Sequence, residues 1–338
     1  MSITSTDVKE AARQFGADLV GIGDISRFEG VKPENDPRFI APKAKTIIGL
    51  GFRVLRGSLR GIEEGTQYYQ YSTMGVMHID ELFAPATLRR LACFLEDNGY
   101  DGAVYRAVTD RRPASNTGTE PERGAIYKLE HAEPVAPGKP APDVLMDFRL
   151  AAVICGLGEI GHGGFVLTPE FGPLQRFAFI LTDAPLEPDP MLNGPRLCDR
   201  CGKCATACPG QALNPKEPTQ TKLAEFAVEH AKLDEWQCAA HYQGANRSIN
   251  PFLASDKLKP FADAAQIASG QKQMSEAEVR KLLPVLGSAY PGVGSMYPSS
   301  LCGRACYRAC LVHLEEQGKL TKKYHAPFRR GPVWALPA

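Results

Sequence analysis

A chain of 338 residues, 43% hydrophobic and 23% charged, is long enough to bury a full-sized core and carries no low-complexity run, which excludes a disordered protein. Thirty-nine basic residues against 38 acidic ones leave a formal charge of +1, so the broad basic footprint of a general nucleic-acid binder is absent. The longest apolar runs, such as Phe177 to Leu181, are too short to span a bilayer.

Met1 to Gly16 reads as a polar amphipathic helix with Val8, Ala11, Ala12 and Phe15 on one face and no apolar stretch suited to a secretory signal. The arginine pairs Arg89-Arg90, Arg111-Arg112 and Arg329-Arg330 are internal, so a cytoplasmic protein is expected. Ala17 to Gly23 and Thr46 to Phe52 are apolar runs of the kind that form buried strands of an α/β core, and the Pro- and charge-rich Asp24 to Lys45 between them predicts a loop. Asp80 to Glu96 places Leu82, Phe83, Leu88, Leu91, Ala92 and Leu95 at helical spacing, with Asn98-Gly99 as the stop. Ala103 to Ala107 reads as a strand, Arg111 to Pro142 as a long excursion of the sort that covers active sites, Met146 to Cys155 as a helix, and Arg176 to Thr182 as a strand. A domain boundary is expected in the Pro-rich stretch Pro185 to Pro195, giving domains at 1–190 and 191–338. Beyond it, Leu223 to Trp236 is expected to be an amphipathic helix, and Ser275 with Glu278 forms a capping-box pattern opening a helix to Leu283.

Ten cysteines in a chain with no sign of secretion point to metal before disulfides. Cys198, Cys201, Cys204 and Cys208, followed by Pro209, have the spacing C-x2-C-x2-C-x3-C-P. That is the bacterial ferredoxin run, in which three thiolates wrap one cubane and the fourth ligates a second cluster. Zinc is the rival metal, but structural zinc sites generally pair C-x2-C knuckles across a longer loop. Cys302, Cys306 and Cys310 follow at C-x3-C-x3-C, and Cys238 stands alone, so the count closes at the eight ligands that two cubanes need. Cross-ligation predicts Cys198, Cys201 and Cys204 with Cys310 on one cluster, and Cys208, Cys238, Cys302 and Cys306 on the other. The competing reading makes Cys238 and the last group buried thiols, as Cys93 and Cys155 are expected to be.

Gly156-Leu157-Gly158-Glu159-Ile160-Gly161, continued by Leu167-Thr168-Pro169-Glu170-Phe171-Gly172-Pro173, Leu181-Thr182-Asp183 and Pro185-Leu186-Glu187-Pro188, precedes the cysteine run. In that order these motifs resemble the cobalamin-dependent reductive dehalogenases and their relatives, the epoxyqueuosine reductases, with Glu159 and the aromatic Phe171 on the dehalogenase side. Weaker similarity runs from Gly16 through Ile22 and from Arg89 to Tyr100. The resemblance implies an α+β protein, with a nitroreductase-like α/β core holding base-off cobalamin and a C-terminal bacterial-ferredoxin-like domain carrying two [4Fe–4S] clusters and a helical insertion. The absence of any D-x-H-x-x-G motif agrees with a base-off corrinoid. Two departures stand out: Leu311 replaces the proline that usually closes the second cysteine group, and no export leader is visible, which points away from a membrane-coupled respiratory role.

Under the resemblance, Gly156, Leu157, Gly158, Glu159, Gly161, His162, Gly163 and Thr168 would face the corrinoid, the glycines freeing backbone amides to approach a large planar ligand. A glycine-rich turn also serves simply to pack one element closely on another. Tyr68, Tyr69 and Tyr71 are candidates for the proton donor, since a tyrosine backed by a cation is the dehalogenase arrangement, and Asp143 lies near the acidic donor of epoxyqueuosine reductases. Arg106 and Arg112 are candidates for holding an anionic substrate. The expected function is a reductase fed by an external donor of ferredoxin or flavodoxin type and acting on a small organic, halogenated substrate. The alternatives are tRNA modification as an epoxyqueuosine reductase, and a non-catalytic electron carrier or corrinoid-handling protein.

Overall fold

The computed structural model describes residues 3–106, 133–191, 196–223, 226–254, 256–293 and 298–336. The chain opens with helix α1 (Ser5–Gln14), whose capping box joins Thr4 and Asp7 and which buries Val8, Ala11 and Ala12. Strands β1 (Leu19–Asp24) and β2 (Thr46–Arg53) follow as expected, with three short 3-10 turns between them. Two single-turn helices, α2 (Arg60–Glu63) and α3 (Tyr69–Ser72), lead into wide π-type turns over Thr73–Met77 and Ile79–Phe83. Regular helix begins only at α4 (Ala84–Asp97), where a proline at the start of the helix needs no amide partner. The predicted start at Asp80 therefore falls in a π turn, a geometry that recurs at functional sites.

Strand β3 (Gly102–Tyr105), helix α5 (Phe148–Ile154), the short ribbon of β4 (Glu159–Ile160) and β5 (Val166–Leu167), and strand β6 (Gln175–Thr182) complete the first half. The sheet order is β1-β2-β6-β3, antiparallel throughout. Its two faces follow from the period of two along β2. Ile48, Leu50 and Phe52 join a core with α1 and α4, while Ile47 joins a second core with Leu150, Ile154 and Phe179. On that second face glycine is required: a Cβ at Gly21 would lie 2.1 Å from the Cys155 carbonyl oxygen, and one at Gly49 would lie 2.9 Å from its Sγ. Cys155 thus plugs α5 onto the sheet, fully buried, as a small hydrophobe does.

Helix α6 (Lys203–Thr206) carries the cysteine run into a long hairpin, β7 (Leu213–Leu223) and β8 (Phe226–Leu233). The helix expected over Leu223 to Trp236 is thereby corrected. From Ala227 to His230 the chain alternates exposed and buried, with Val228 and His230 inward, which is the period of a strand paired along its length with β7. Helix starts only at α7 (Glu235–Tyr242), where the Asp234 carboxylate accepts from the Gln237 amide. Then come α8 (Ala264–Ala268) and α9 (Glu276–Ala289), which opens with the Ser275–Glu278 capping box and runs on through Pro284 past the expected end at Leu283. Ala240, Leu253, Leu258, Val279 and Leu282 form a separate small core there. The final helix α10 (Ala305–Glu316) packs against α6, and Leu311 and Leu314 enter the same core as α1 and α4. One continuous core therefore joins residues on both sides of the Pro-rich stretch. No helix among the described residues is long and apolar enough to cross a membrane.

Candidate functional site

None of the ten cysteines is in a disulfide, and eight of them fall into two groups of four. Cys198, Cys201, Cys204 and Cys310 line one cavity together with His162 and Phe165. Three come from the chain entering α6; the fourth is delivered by α10, which lies alongside. Burial raises the Cys310 thiol, and the neighbouring Cys198, Cys204 and Cys201 raise it further. Burial likewise pushes Cys204 up to about 11, while Cys201 is exposed at the cavity mouth. Such thiols cannot all ionise together unless a cation shares their charge, so the set is suited to metal.

The second group is Cys208, Cys238 on α7, Cys302 and Cys306. Burial raises Cys306 well above the ordinary thiol range, and Cys302, Cys238 and Cys208 each add to the effect. Cys302 is raised by burial and by Cys208, and Cys208 by burial and by Cys238. Backbone amides serve both groups: His162 N–H donates to Cys198 Sγ at 3.1 Å, and Ala212 N–H donates to Cys208 Sγ at 3.3 Å. Donors of this kind stabilise sulfur that carries negative charge.

The sequence reading passed over two residues beside the first group. His313 Nε2 lies 2.7 Å from Asp199 Oδ2, and these atoms with Cys201 Sγ all lie within 4.8 Å of one another. The hydrogen bond to His313 is the largest influence holding the Asp199 carboxyl down to about 2. The signal was present: His313 stands three residues beyond Cys310 on one helix, and so on the same face.

Residues from Gly156 to Thr168 pack chiefly on the chain itself. A Cβ at Gly158 would lie 2.2 Å from the Leu167 carbonyl oxygen, and one at Gly163 would lie 2.3 Å from the Phe165 ring. One at Gly156 would meet the Pro190 carbonyl at 2.5 Å, and one at Gly161 would meet Leu167 at 3.0 Å. Glu159 accepts from the Cys198 amide at 2.8 Å, which fixes the start of the cysteine run. Thr168 is fully buried; its hydroxyl donates to Gln175 and accepts from the Phe171 amide, both at 3.2 Å. Leu157 is buried in the second core. His162 is 9% exposed, and burial lowers its pKa; its Nδ1 has no hydrogen-bond partner and its ring borders the first cysteine cavity.

No family model matches the chain. A tetrachloroethene reductive dehalogenase of Dehalobacter restrictus is 41% identical over 100 residues, covering 27% of this chain and 18% of that protein. One from Desulfitobacterium hafniense is 49% identical over 103 residues, 29% of this chain and 19% of that protein. The epoxyqueuosine reductase of Bacillus subtilis is 30% identical over 82 residues, 24% and 21% of the two chains. Parts of the chain are thus similar to both enzyme groups. The matched segments span only about a fifth of these curated relatives. Among solved structures, a catabolic reductive dehalogenase covers 83% of this chain and 35% of its own at 16% identity, with a TM-score of 0.48. The epoxyqueuosine reductase from Streptococcus thermophilus covers 92% and 81% at 15% identity, with a TM-score of 0.44.

The three candidate tyrosines have three different surroundings. Tyr68 is buried edge-on against Phe252, Tyr290 and Trp334, at ring-centroid distances of 5.4, 6.4 and 6.2 Å, and its hydroxyl has no partner. Tyr69 is 53% exposed. Tyr71 is buried, and burial holds its hydroxyl protonated far above neutrality, with Arg304 and Arg176 the cations that oppose this. Arg304 in turn lies over the rings of Tyr242 and Tyr307, 5.2 Å from each centroid, and acts on Cys302 and Cys306. Both buried tyrosines thus have a cation that also acts at the second cysteine group, Arg304 for Tyr71 and Arg308 for Tyr68. Arg176 is held by Asp80 through two hydrogen bonds of 2.5 and 2.6 Å. Asp143 is exposed, Arg106 is paired with Glu81 at 2.7 Å, and Arg112 lies outside the described residues.

Proposed function

We propose that the chain is an iron–sulfur oxidoreductase with two [4Fe–4S] clusters, one on Cys198, Cys201, Cys204 and Cys310 and one on Cys208, Cys238, Cys302 and Cys306. The observation that carries this reading is the convergence of eight cysteines, drawn from three separate stretches of chain, into two groups of four. The thiol-rich lining and the amide donors fit a cubane. Electrons from a ferredoxin- or flavodoxin-type donor enter at the first group, where Cys201 is exposed, and leave by the second, beside Tyr71 and Arg304. The division into a core at 1–190 and a cluster domain at 191–338 belongs to the same proposal.

A base-off corrinoid is the second cofactor that likeness to the relatives supports; one related structure bears a title on B12-dependent dehalogenation. When bound, a corrinoid supplies the low-potential metal chemistry that reduces a small organic, halogenated substrate. The described residues do not fit it at the glycine turn. The space beside Gly158 and Gly163 is filled by Leu167 and Phe165. Tyr71 is the proton source that the surroundings support: a buried hydroxyl kept protonated, with the Arg304 cation to ease its loss.

These glycine contacts favour a second reading, a two-cluster electron carrier. Titration of anaerobically reconstituted protein with cobalamin separates the two. Near-stoichiometric cobalt in the base-off form, with halide released from halogenated aromatics under a strong chemical reductant, supports the reductase. Two clusters without retained cobalt assign the electron carrier, and conversion of epoxyqueuosine-containing RNA without halide release assigns tRNA modification.

A further inference from the structure

The turn that presents Cys302 is held by an ion network from the other end of the sequence. Gly303 and Arg304 both have left-handed backbone, with φ of +52° and +50°. For arginine that conformation is strained, and it persists only where the surroundings over-determine it. Arg308, one turn into α10, supplies that determination: its Nε donates to the Gly303 carbonyl and its terminal nitrogen to the Cys302 carbonyl, both at 3.0 Å. Its remaining terminal nitrogen bonds Glu63 of α2, whose carboxylate also takes two hydrogen bonds from Arg329 at 2.8 and 3.0 Å. The side chains of Glu63 and Arg308 are only 6% and 10% exposed. On the same side, Ile62 presses on the turn so closely that a Cβ at Gly303 would lie 2.7 Å from it.

A buried ion pair adds little net stability over apolar packing, so its retention calls for a geometric role. We propose that Glu63 and Arg308 are positioning residues for the second cluster: they hold the Cys302–Arg304 turn in the one backbone conformation that sets Cys302 against Cys306, Cys208 and Cys238. The inference rests on the reading of those four cysteines as one ligand set. The planar fork of arginine is essential because two adjacent carbonyls and a carboxylate must be served at once, which a lysine ammonium cannot do in the same geometry. Among the hydrogen bonds of the described residues, Arg308 bonds the Cys302 and Gly303 carbonyls and no atom of Cys198, Cys201, Cys204 or Cys310.

The test uses the full chain, reconstituted anaerobically, with iron analysis, EPR of the reduced protein and redox titration. Cys306→Ala and Cys198→Ala define the signals that remain when the second or the first cluster is lost. Arg308→Lys and Glu63→Gln are expected to keep native circular dichroism and the first cluster's signal, while the second cluster's signal is lost or its potential moves, with iron falling by up to about half. Glu63→Gln keeps the side-chain shape and decides the matter if Arg308→Lys does not fold. Both clusters with unchanged signals and potentials in a folded variant would overturn the clamp. Wild-type protein with one cluster or none would instead overturn the ligand assignment beneath it.

Discussion

At the scale of single residues, the three neighbouring tyrosines show what a sequence withholds. One short helical turn sends Tyr68 into an aromatic cluster, leaves Tyr69 in solvent and sets Tyr71 beside Arg304. Spacing alone cannot rank them, because their surroundings include Arg304 and Arg308, more than 230 residues away in the chain. Tyr71→Phe is expected to slow substrate reduction by about 10²–10⁴-fold, the usual contribution of a general acid, whereas Tyr69→Phe leaves it unchanged. Full turnover by Tyr71→Phe in a halide-release assay would move the proton source elsewhere. Glu63 gives a pH prediction. Burial alone would raise its carboxyl, but Arg329 and Arg308 hold it below the ordinary carboxylate range. A folded-state value below the unfolded one stabilises at neutral pH and is lost as pH falls through the acid range. Glu63→Gln should therefore be destabilised at pH 7, by about 3–5 kcal/mol if the buried pair behaves as such pairs usually do. The gap to wild type should shrink below about pH 4, followed by denaturant midpoints; a gap constant with pH would contradict the ion-pair account.

Among elements, those with strong local patterns were legible. The apolar run of β2, the apolar face of α1, the capping box of α9, and the apolar stripe of α4 each carry their own signal. The stretch from 223 to 236 did not, since its apolar residues satisfy a helical period as well as a strand period, and only pairing with β7 decides between them. The cysteine grouping was legible because ferredoxin-like spacing encodes cross-ligation, whereas the glycine turn was ambiguous, since the same residues serve a ligand or close packing. In the structure they pack. The β8 hairpin strand is tied to that turn, with Ala231 N–H donating to the His162 carbonyl at 2.8 Å. Replacing Ala231 by proline removes the donor, and the buried acceptor it leaves should cost about 1–3 kcal/mol. Chemical denaturation reads this directly, and an unchanged midpoint would mean that the hairpin is not docked there.

For the whole molecule, the first core runs without interruption from α1 and α4 to α10, so the cysteine-bearing elements and the sheet share one packed interior. That continuity brings an early segment of chain, through Glu63 and Arg308, against the turn that presents Cys302. Whether the molecule reduces a substrate itself or passes electrons on turns on cobalt, but both readings require two clusters. The most direct test is therefore iron and acid-labile sulfide analysis of anaerobically reconstituted protein, paired with EPR of the reduced form. The arrangement of Cys198, Cys201, Cys204 and Cys310 apart from Cys208, Cys238, Cys302 and Cys306 predicts about eight irons and eight sulfides per chain, with signals from two clusters. Four irons or fewer, with one signal unaffected by Cys306→Ala, would contradict it.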